Sequence, residues 1–357
     1  MTLPADSHVH SEWSWDAPLG SMERTCEQAL TLGLPVLAFT EHVDHTTWTV
    51  ASPTLPRDTP AGPDTPRHGR PGSDVPRSDT PRHGRPGSDV PRSGGPGGSV
   101  FGTDGHDTDG PSRGDPGLAG LGLGDFDLGG LGLDDHLLSL TTPDGRLIPP
   151  PFDVTGYLEA IERCRDRFPS LRILSGMEIG EPHRHAAAVS KLLAAGGFDR
   201  VLGSLHCLPY GDGFAEPPGH YAYRDPADVV RDYLAEIARL VTQSDAFAVL
   251  AHIDYPLRYW PEKKAGPFDV LAFQEEFRHA LRTTARSGRA LEINTSIPLH
   301  PTLLRWWREE GGQAVTFGSD AHEPALLARR FREAADMATA HGFRPGRNLY
   351  DFWGRED

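Results

Sequence analysis

The sequence predicts an α/β fold in which seven parallel strands alternate with helices around a barrel, interrupted by one long insertion. Outside residues 51–150, short apolar runs alternate with longer amphipathic ones, which is typical of repeated βα units. Strand and helix alternate seven times at lengths that suit a barrel, where functional groups collect at the carboxyl ends of the strands. Histidines and carboxylates stand near those predicted ends, so the same pattern indicates where a site lies.

The predicted elements are justified by period and by end signals. Strands are predicted at the short apolar runs 5–8, 35–39, 171–177, 200–204, 248–252, 290–294 and 314–318. Amphipathic helices are predicted between and after them at 22–32, 154–167, 184–195, 226–242, 270–287, 302–310 and 325–341. Ser21 precedes the first helix and Gly33 follows it, while Gly288 follows the fifth, as helix caps require.

The insertion differs in composition from the rest of the chain. From 51 to 150 it is rich in Gly, Pro, Asp, Arg and Ser, and residues 64–78 recur unchanged as 79–93. Such a composition buries too little apolar surface to offset the entropy of ordering, so we expect a disordered loop. An accessory metal tract or a partner-binding segment is the alternative. Residues 1–50 and 151–357 are then expected to form a single barrel domain.

Charge and cysteine content limit the class of protein. The net charge of −15 argues against a protein that binds nucleic acid along its backbone, but not against a small anionic substrate held by local cations. Three widely spaced cysteines, Cys26, Cys164 and Cys207, suit a reducing cytosol better than a disulfide framework. The N-terminus resembles no leader and no apolar run approaches about 18 residues, so a cytoplasmic protein without a membrane partner is expected. The oligomeric state stays open.

Nine residues that can bind metals occur near predicted strand ends or in the first βα loop. They are His8, His10, Asp16, His42, Glu178, His206, His252, Asp320 and His322. Each one alone has a simpler interpretation as a helix cap or an ordinary polar residue at a strand end. Their order and number favour a metal site over nine independent structural roles.

The residue types suit metal chemistry. His8 and His10 are two residues apart, so on a strand they share a face and can bind one ion together. Glu178 and Asp320 would supply oxygen donors and balance the charge of the ion. The two oxygens of Glu178 could also join two metals at the spacing that suits displacement at phosphorus. Cys207 adjoins His206, but neighbouring side chains on a strand point to opposite sides, which argues against it as a ligand.

Together these motifs resemble the polymerase and histidinol phosphatase (PHP) family of metal-dependent phosphoesterases. The matching motifs are His8-x-His10, Thr40-Glu41-His42, Gly176-Met-Glu178, Ser204-Leu-His206, Ala251-His252 and Ser319-Asp320-Ala-His322. They cover both ends of the framework and leave out only the insertion. The resemblance implies a distorted seven-stranded β/α barrel with two to three divalent ions, commonly Zn, Mn or Fe.

The resemblance also implies how the ligands are divided. The first metal would bind His8, His10, Glu178 and Asp320; the second would bind Glu178, His206 and His252; the third would bind Asp16, His42 and His322. Many members of the family have His where this chain has Asp16. An oxygen ligand at that position would shift the preference of the third site towards Mn or Fe.

The expected mechanism is hydrolysis at phosphorus. A hydroxide shared between metals would attack while the ions neutralise the phosphoryl oxygens, with Glu178, Asp320 and His322 as the catalytic residues. Arg258, six residues after His252, is expected to bind the phosphate with its two-pronged guanidinium. His45 and Arg224 are further candidates for lining the substrate site.

The leading functional hypothesis is a phosphatase for a small phosphomonoester. Leu250-Ala-His-Ile-Asp-Tyr255 resembles the histidinol-phosphatase branch, which implies L-histidinol phosphate as substrate and a role in histidine biosynthesis. A broader phosphatase or a nuclease acting on nucleotides is the alternative within the fold. A carbon–nitrogen hydrolase is less favoured because many such enzymes need a lysine at a strand end, and this chain has only Lys191, Lys263 and Lys264. A binding module without activity would be expected to have lost ligands.

Overall fold

The computed structural model describes residues 2–50 and 133–356, which belong to one compact unit. The predicted loop at 51–150 therefore lies outside the described residues as far as position 132. The strands are β1 (Asp6–Val9), β2 (Val36–Val43), β3 (Trp48–Thr49), β4 (Arg146–Leu147), β5 (Arg172–Gly180), β6 (Arg200–Ser204), β7 (Leu208–Tyr210), β8 (Gly213–Ala215), β9 (Val249–Leu250), β10 (Ala290–Asn294), β11 (Ala314–Gly318), β12 (Phe343–Arg344) and β13 (Trp353–Arg355).

The described residues also form α-helices. They are α1 (Met22–Leu32), α2 (Leu133–Ser139), α3 (Val154–Arg167), α4 (Ala186–Ala194), α5 (Pro217–Tyr223), α6 (Pro226–Gln243), α7 (Glu262–Ala265), α8 (Gln274–Arg286), α9 (Pro301–Glu309) and α10 (Phe331–Ala340). None of them, within the described ranges, combines the length and apolar character that crossing a membrane requires.

The main sheet of the described residues is largely parallel. Its order is β1-β2-β5-β6-β9-β10-β11-β13-β12, and each neighbouring pair from β1 to β11 runs parallel. The last two strands, β13 and β12, are antiparallel additions. The predicted α/β fold is therefore confirmed, whereas the count of seven βα units stays a prediction.

The sheet curls so that its first strand meets the segment after β11. Val9 and Ala321 form a parallel bridge, and the backbone N–H of His10 donates to the carbonyl of Ala321 at 2.9 Å. The N–H of Asp320 donates to the carbonyl of His8 at 2.8 Å. The two ends of the sequence are thereby brought together beside the carboxyl ends of the strands.

Predicted helix ends agree where capping chemistry sets them. The hydroxyl of Ser21 accepts from the N–H of Arg24, and Gly33 ends α1 in the left-handed region at φ 67°. Gly288 has φ 75° after α8. The last predicted helix is wrong at its start: the chain forms a 3₁₀ turn at Pro324–Leu326, and α10 begins only at Phe331.

The C-terminal end of the predicted insertion is ordered, which corrects the predicted boundary at position 150. Residues 133–150 contain α2 and β4, and β4 pairs antiparallel with β3. Leu147 on β4 and Trp48 on β3 are both only 4% exposed, in one apolar cluster with Cys207. These strands form a second sheet of order β4-β3-β8-β7. Burial of apolar side chains against β3 is the physical reason that this stretch joins the folded unit.

Candidate metal centre

The predicted ligands converge at the carboxyl end of the parallel sheet. His8 lies on β1, His42 on β2 and Glu178 on β5, and the others follow strands or lie in the first βα loop. His8 and His10 have no exposed surface. A cavity of ≈ 300 Å³ opens above them. Its walls include the remaining predicted ligands Asp16, His42, Glu178, His206, His252, Asp320 and His322.

The first predicted group is compact. Nε2 of His8 lies 3.1 Å from Nε2 of His10 and 2.9 Å from Oε2 of Glu178. Nε2 of His10 lies 3.2 Å from Oδ1 of Asp320 and 3.4 Å from the same Glu178 oxygen. One donor atom from each of the four residues lies within 4.8 Å of the others. The structure thus brings together the four residues that were assigned to the first metal.

Glu178 faces two sets of imidazoles with its two oxygens. Oε2 is turned towards His8 and His10, whereas Oε1 lies 3.2 Å from Nε2 of His206 and 2.7 Å from Nε2 of His252. The hydroxyl of Ser204 on β6 donates to Oε1. A carboxylate in this position has the geometry of a ligand shared by two ions.

The third predicted group also converges, but His42 is shared more widely than the resemblance implied. Oδ2 of Asp16 lies 3.3 Å from Nε2 of His42 and 3.2 Å from Nε2 of His322. The ring of His10 stacks on His42 at 4.2 Å. Nδ1 of His42 is 3.3 Å from Oε2 of Glu178, so His42 contacts Glu178 as well as Asp16 of its own group.

Four residues that were not predicted contact the predicted ligands. Nδ1 of His8 lies 2.6 Å from Oε1 of Glu292, and the side-chain amide of Asn294 donates to Oδ2 of Asp320 at 3.3 Å. Ser14 lies 2.9 Å from Nδ1 of His10, and Asp44 lies 3.3 Å from Nδ1 of His206. Imidazole ligands commonly use their second nitrogen in this way. The signal for Glu292 and Asn294 was the polar alternation Glu-Ile-Asn on an otherwise apolar strand.

Electrostatics keep the carboxylates ionised. Burial would raise the pKa of Glu178, but His8 and His42 hold that pKa well below its usual value. Burial would likewise raise the pKa of Asp320, which Arg258 and His8 keep well below normal. Burial, with His322 and His42 nearby, lowers the pKa of His10 to about 4, so this imidazole is neutral. Ionised carboxylates beside a neutral imidazole are the states that bind metals.

The donor set therefore fits divalent ions. Buried carboxylates need a compensating charge, and imidazoles with carboxylates suit Zn, Mn and Fe. Oδ1 of Asp16 is buried without a hydrogen-bond partner among the described residues, as expected of an atom that awaits a ligand. The three overlapping groups are His8 with His10, Glu178 and Asp320; His42 with Glu178 and His206; and His10 with His42 and His322.

Two arginines line the same cavity. Nη2 of the predicted Arg258 lies 2.6 Å from Oδ2 of Asp320, and its Nε is buried without a partner among the described residues. Arg329 was not predicted; it lies between β11 and α10 and lines the cavity, and its Nε is also buried and unpartnered within the described ranges. Ala328 and Arg330 on either side have left-handed backbones, at φ 51° and 57°. Arg329 therefore lies in a strained turn directly before α10.

The other two predicted substrate residues lie elsewhere, which corrects those predictions. His45 is exposed and faces His185, with 5.7 Å between ring centroids, and it does not line the cavity. Arg224 follows α5 and pairs with Asp232 on α6. His45 follows the predicted ligand His42 by only three residues, but β2 ends at Val43 and His45 does not line the cavity. Arg224 was attached to a helix that the sequence reasoning had not identified.

Sequence comparison places the chain in a known family. A profile described as the PHP domain matches residues 6–296, which is most of the chain. The chain belongs to the PHP domain family. Asp320 and His322 lie beyond the matched stretch, yet they join the same cluster as the PHP residues of the N-terminal half.

Relatives of this PHP domain carry a common name. A histidinol-phosphatase of Lactococcus lactis subsp. lactis is 26% identical over 175 residues, 46% of this chain and 64% of the relative. A "Probable histidinol-phosphatase" of Deinococcus radiodurans is 31% identical over 192 residues, 50% of this chain and 68% of the relative. The match thus spans slightly less than two thirds of the Lactococcus protein.

The fold of this PHP domain is also similar to a solved one. The crystal structure of histidinol phosphate phosphatase from Lactococcus lactis subsp. lactis, complexed with Zn, L-histidinol and phosphate, superposes with a TM-score of 0.62. Sequence identity is 17%, and the superposition covers 95% of this chain and 94% of that one. At this level of identity the likeness concerns the fold.

Proposed function

We propose that this chain is a metal-dependent phosphatase that hydrolyses L-histidinol phosphate to L-histidinol and phosphate, a reaction of histidine biosynthesis. The observation that carries the proposal is the position of Glu178 between two sets of imidazoles, at the floor of a cavity that Arg258 also lines. A bridging carboxylate below and a guanidinium in the wall suit a phosphoryl group. The names of the relatives support the choice of substrate.

The proposed cofactors are two to three divalent ions, Zn, Mn or Fe. We assign His8, His10, Glu178 and Asp320 to the first ion, Glu178, His206 and His252 to the second, and Asp16, His42 and His322 to the third. When bound, such ions supply Lewis-acid charge neutralisation and an activated water. The contacts of His42 with both Asp16 and Glu178 support its assignment as a ligand, with the third group the most exposed of the three.

The protein's own groups would position the substrate. Arg258 lies beside Asp320, so its guanidinium would meet phosphoryl oxygens directly next to the first ligand group. His322 is 33% exposed and reaches the cavity wall, where it would contact the reacting ester together with Glu178 and Asp320. Aromatic walls from Trp48 and Tyr255 would exclude water from the other side.

The size of the cavity and the charge of the chain favour a small substrate rather than a nucleic acid. Its volume of ≈ 300 Å³ suits a compact phosphomonoester, and a chain of net charge −15 repels a polyanion. We further propose that the sheet closes as the distorted seven-stranded β/α barrel of the family, with the Val9 to Ala321 bridge as the supporting contact. The buried free thiols of Cys26, Cys164 and Cys207 support a reducing cytosol as its compartment.

A substrate panel tests the proposal. Full-length protein loaded with Zn or Mn is given L-histidinol phosphate, nucleoside monophosphates, short oligonucleotides and sugar phosphates, and released phosphate is measured. We expect the highest kcat/KM with L-histidinol phosphate and at least two bound ions per chain by metal analysis. Preference for nucleotides would favour the broader phosphatase or nuclease. Fewer than two ions with no phosphate release would refute the metal-dependent phosphatase.

A further inference from the structure

One carboxylate in the cavity wall, that of Glu216, has no cationic partner among the residues that the structure describes. Glu216 stands between β8 and α5 and lines the same cavity as the metal ligands. The other cavity carboxylates, Asp16, Glu178 and Asp320, each lie within 4.0 Å of an imidazole or a guanidinium. Among the described residues, no Lys, Arg or His nitrogen comes that close to Glu216. An unpaired carboxylate in a confined site attracts a cation from outside the protein.

Tyr255 fixes the position of Glu216 relative to the reacting centre. Its hydroxyl donates to Oε1 of Glu216 at 2.9 Å. Its ring lies 5.1 Å from that of His252 and 5.3 Å from that of His206, and the guanidinium of Arg258 lies 5.1 Å from the ring centre. Tyr255 therefore has Arg258 over its ring and Glu216 at its hydroxyl. A ligand that contacts both charged groups would carry an anionic group for Arg258 and a cationic group for Glu216.

The small sheet adds an aromatic surface next to this carboxylate. Thr49 on β3 pairs with Ala215 on β8, so Trp48 and Glu216 each adjoin one partner of this pair. Both line the cavity, and Trp15 packs against Trp48 with 5.6 Å between ring centroids. Indole faces attract cations, most strongly where water is excluded. The carboxylate and the aromatic wall therefore favour the same type of group.

We propose that Glu216, with Trp48 beside it, binds the cationic end of the substrate and so selects amine-bearing phosphomonoesters over neutral ones. This inference rests on the proposed phosphatase function and assigns a residue to the part of the substrate that does not react. In L-histidinol phosphate the protonated amine would meet Glu216 while the phosphoryl group meets Arg258. Glu216 thereby determines specificity and makes no bond change itself.

The test compares full-length, metal-loaded wild type with E216Q, using three esters. They are L-histidinol phosphate, glycerol 1-phosphate, which has an alcohol leaving group but no amine, and p-nitrophenyl phosphate, which has an acidic leaving group. The matched control is E159Q, in which the exposed Glu159 on α3 is replaced. Inhibition by L-histidinol and by inorganic phosphate is measured on each protein, and L-histidinol binding is followed by calorimetry.

Loss of a charged hydrogen bond predicts a KM for L-histidinol phosphate, and an inhibition constant for L-histidinol, raised about ten- to a hundredfold in E216Q. Hydrolysis of glycerol 1-phosphate and inhibition by phosphate should stay as in wild type. Unaltered KM and L-histidinol binding would overturn the inference. If E216Q loses equal activity on L-histidinol phosphate and glycerol 1-phosphate but keeps its activity on p-nitrophenyl phosphate, Glu216 is a proton donor and the inference is wrong. If E216Q is also inhibited more weakly by inorganic phosphate, Glu216 has a structural role and the inference is wrong.

The same measurements separate this inference from the function on which it rests. A wild type that hydrolyses none of the three esters contradicts the proposed phosphatase. In that case, calorimetry still reports whether Glu216 binds the amine: weaker L-histidinol binding by E216Q than by E159Q supports the inference, and equal binding refutes it.

Discussion

Nδ1 of His8 lies 2.6 Å from Oε1 of Glu292, although the two residues are 284 positions apart in sequence. The other oxygen of Glu292 accepts the backbone N–H of His252 at 2.8 Å. One buried carboxylate on β10 thus orients a proposed ligand of the first metal and the backbone at a proposed ligand of the second. Gly318 on β11 makes room for this contact, because a Cβ there would stand 2.1 Å from Oε1 of Glu292.

Substitution E292Q should weaken metal binding while the protein stays folded. An amide cannot supply the anionic acceptor that fixes the orientation and basicity of His8, and such outer partners typically contribute about ten- to a hundredfold in metal affinity. Metal titration of the metal-free variant measures the change. Excess metal should restore activity. The exposed E159Q is the control, and equal affinities for E292Q and wild type would refute this role.

Glu178 and Asp16 should differ sharply when each loses its charge. Because Glu178 faces both the His8 and the His252 side, E178Q should bind at least one ion fewer and lose about a hundred- to a thousandfold in kcat. D16N changes only the group with His42 and His322, so the remaining ions should be retained. Metal analysis and phosphate release on both variants give the comparison. An E178Q protein with the full metal content would contradict the bridging position.

The sequence predicted the residues that strand geometry places and missed those that tertiary contacts place. His8, His10 and Glu178 were found because side chains at the carboxyl ends of parallel strands meet in one place, whatever their separation in sequence. Glu292 was missed because β10 has no histidine to draw attention to it. Its role depends on the alignment of β10 with the distant β1, which composition and spacing do not reveal.

The cavity wall was harder to predict than its floor. Glu216 belongs to a connection containing β7, β8 and α5, elements too short for a periodic signal. Arg329 lies in a stretch with helical composition, but left-handed residues at Ala328 and Arg330 interrupt the helix there. The N–H of Ala328 donates to Oδ2 of Asp6 at 3.1 Å, a long-range contact that overrides the local preference.

Metal binding should strengthen as the pH rises. Burial would lower the pKa of His42, but Asp16 and Glu178 raise it from 6.5 to about 9 in the metal-free protein. Protonated His42 therefore stabilises the metal-free fold fully below pH 6.5, and this contribution is lost as the pH rises through about 9. A metal ion binds only the deprotonated His42 ring, so its affinity for the site rises over the same pH range.

The Tm difference between metal-loaded and metal-free protein should thus widen from pH 6.5 to about 9. Thermal unfolding of both forms across this range measures it. H42Q is the comparison variant, because its glutamine has no proton to exchange. If the Tm difference narrows with rising pH in the wild type, protons do not compete with the metal for His42.

The two cavity arginines should act on phosphate affinity. R258Q and R329Q should each raise the KM for a phosphomonoester and the inhibition constant for inorganic phosphate by about tenfold or more, the loss expected for a charge-assisted hydrogen bond. R258K should not restore wild-type behaviour, since lysine lacks the planar fork. Arg332, exposed on α10, provides the matched control R332Q. Unchanged phosphate inhibition in either cavity variant would remove that arginine from the phosphate site.

Two deletions should separate the low-complexity segment from the wall of the cavity. Removal of residues 57–119 leaves β3, β4 and α2 intact, and we expect phosphatase activity and Tm to stay close to wild type. Removal of 57–150 also takes away β4, which pairs with β3 and covers Trp48 through Leu147. Exposing an indole that is 4% exposed in the intact protein should loosen the wall that carries Trp48.

The longer deletion should therefore raise the KM for L-histidinol phosphate more than that for glycerol 1-phosphate, because Trp48 lies at the proposed cation end. Metal content should stay unchanged in both deletions, since no proposed ligand lies between 57 and 150. Loss of activity in the shorter deletion would mean that residues 57–119 contribute to catalysis. Equal behaviour of both deletions would mean that β4 does not support the cavity wall.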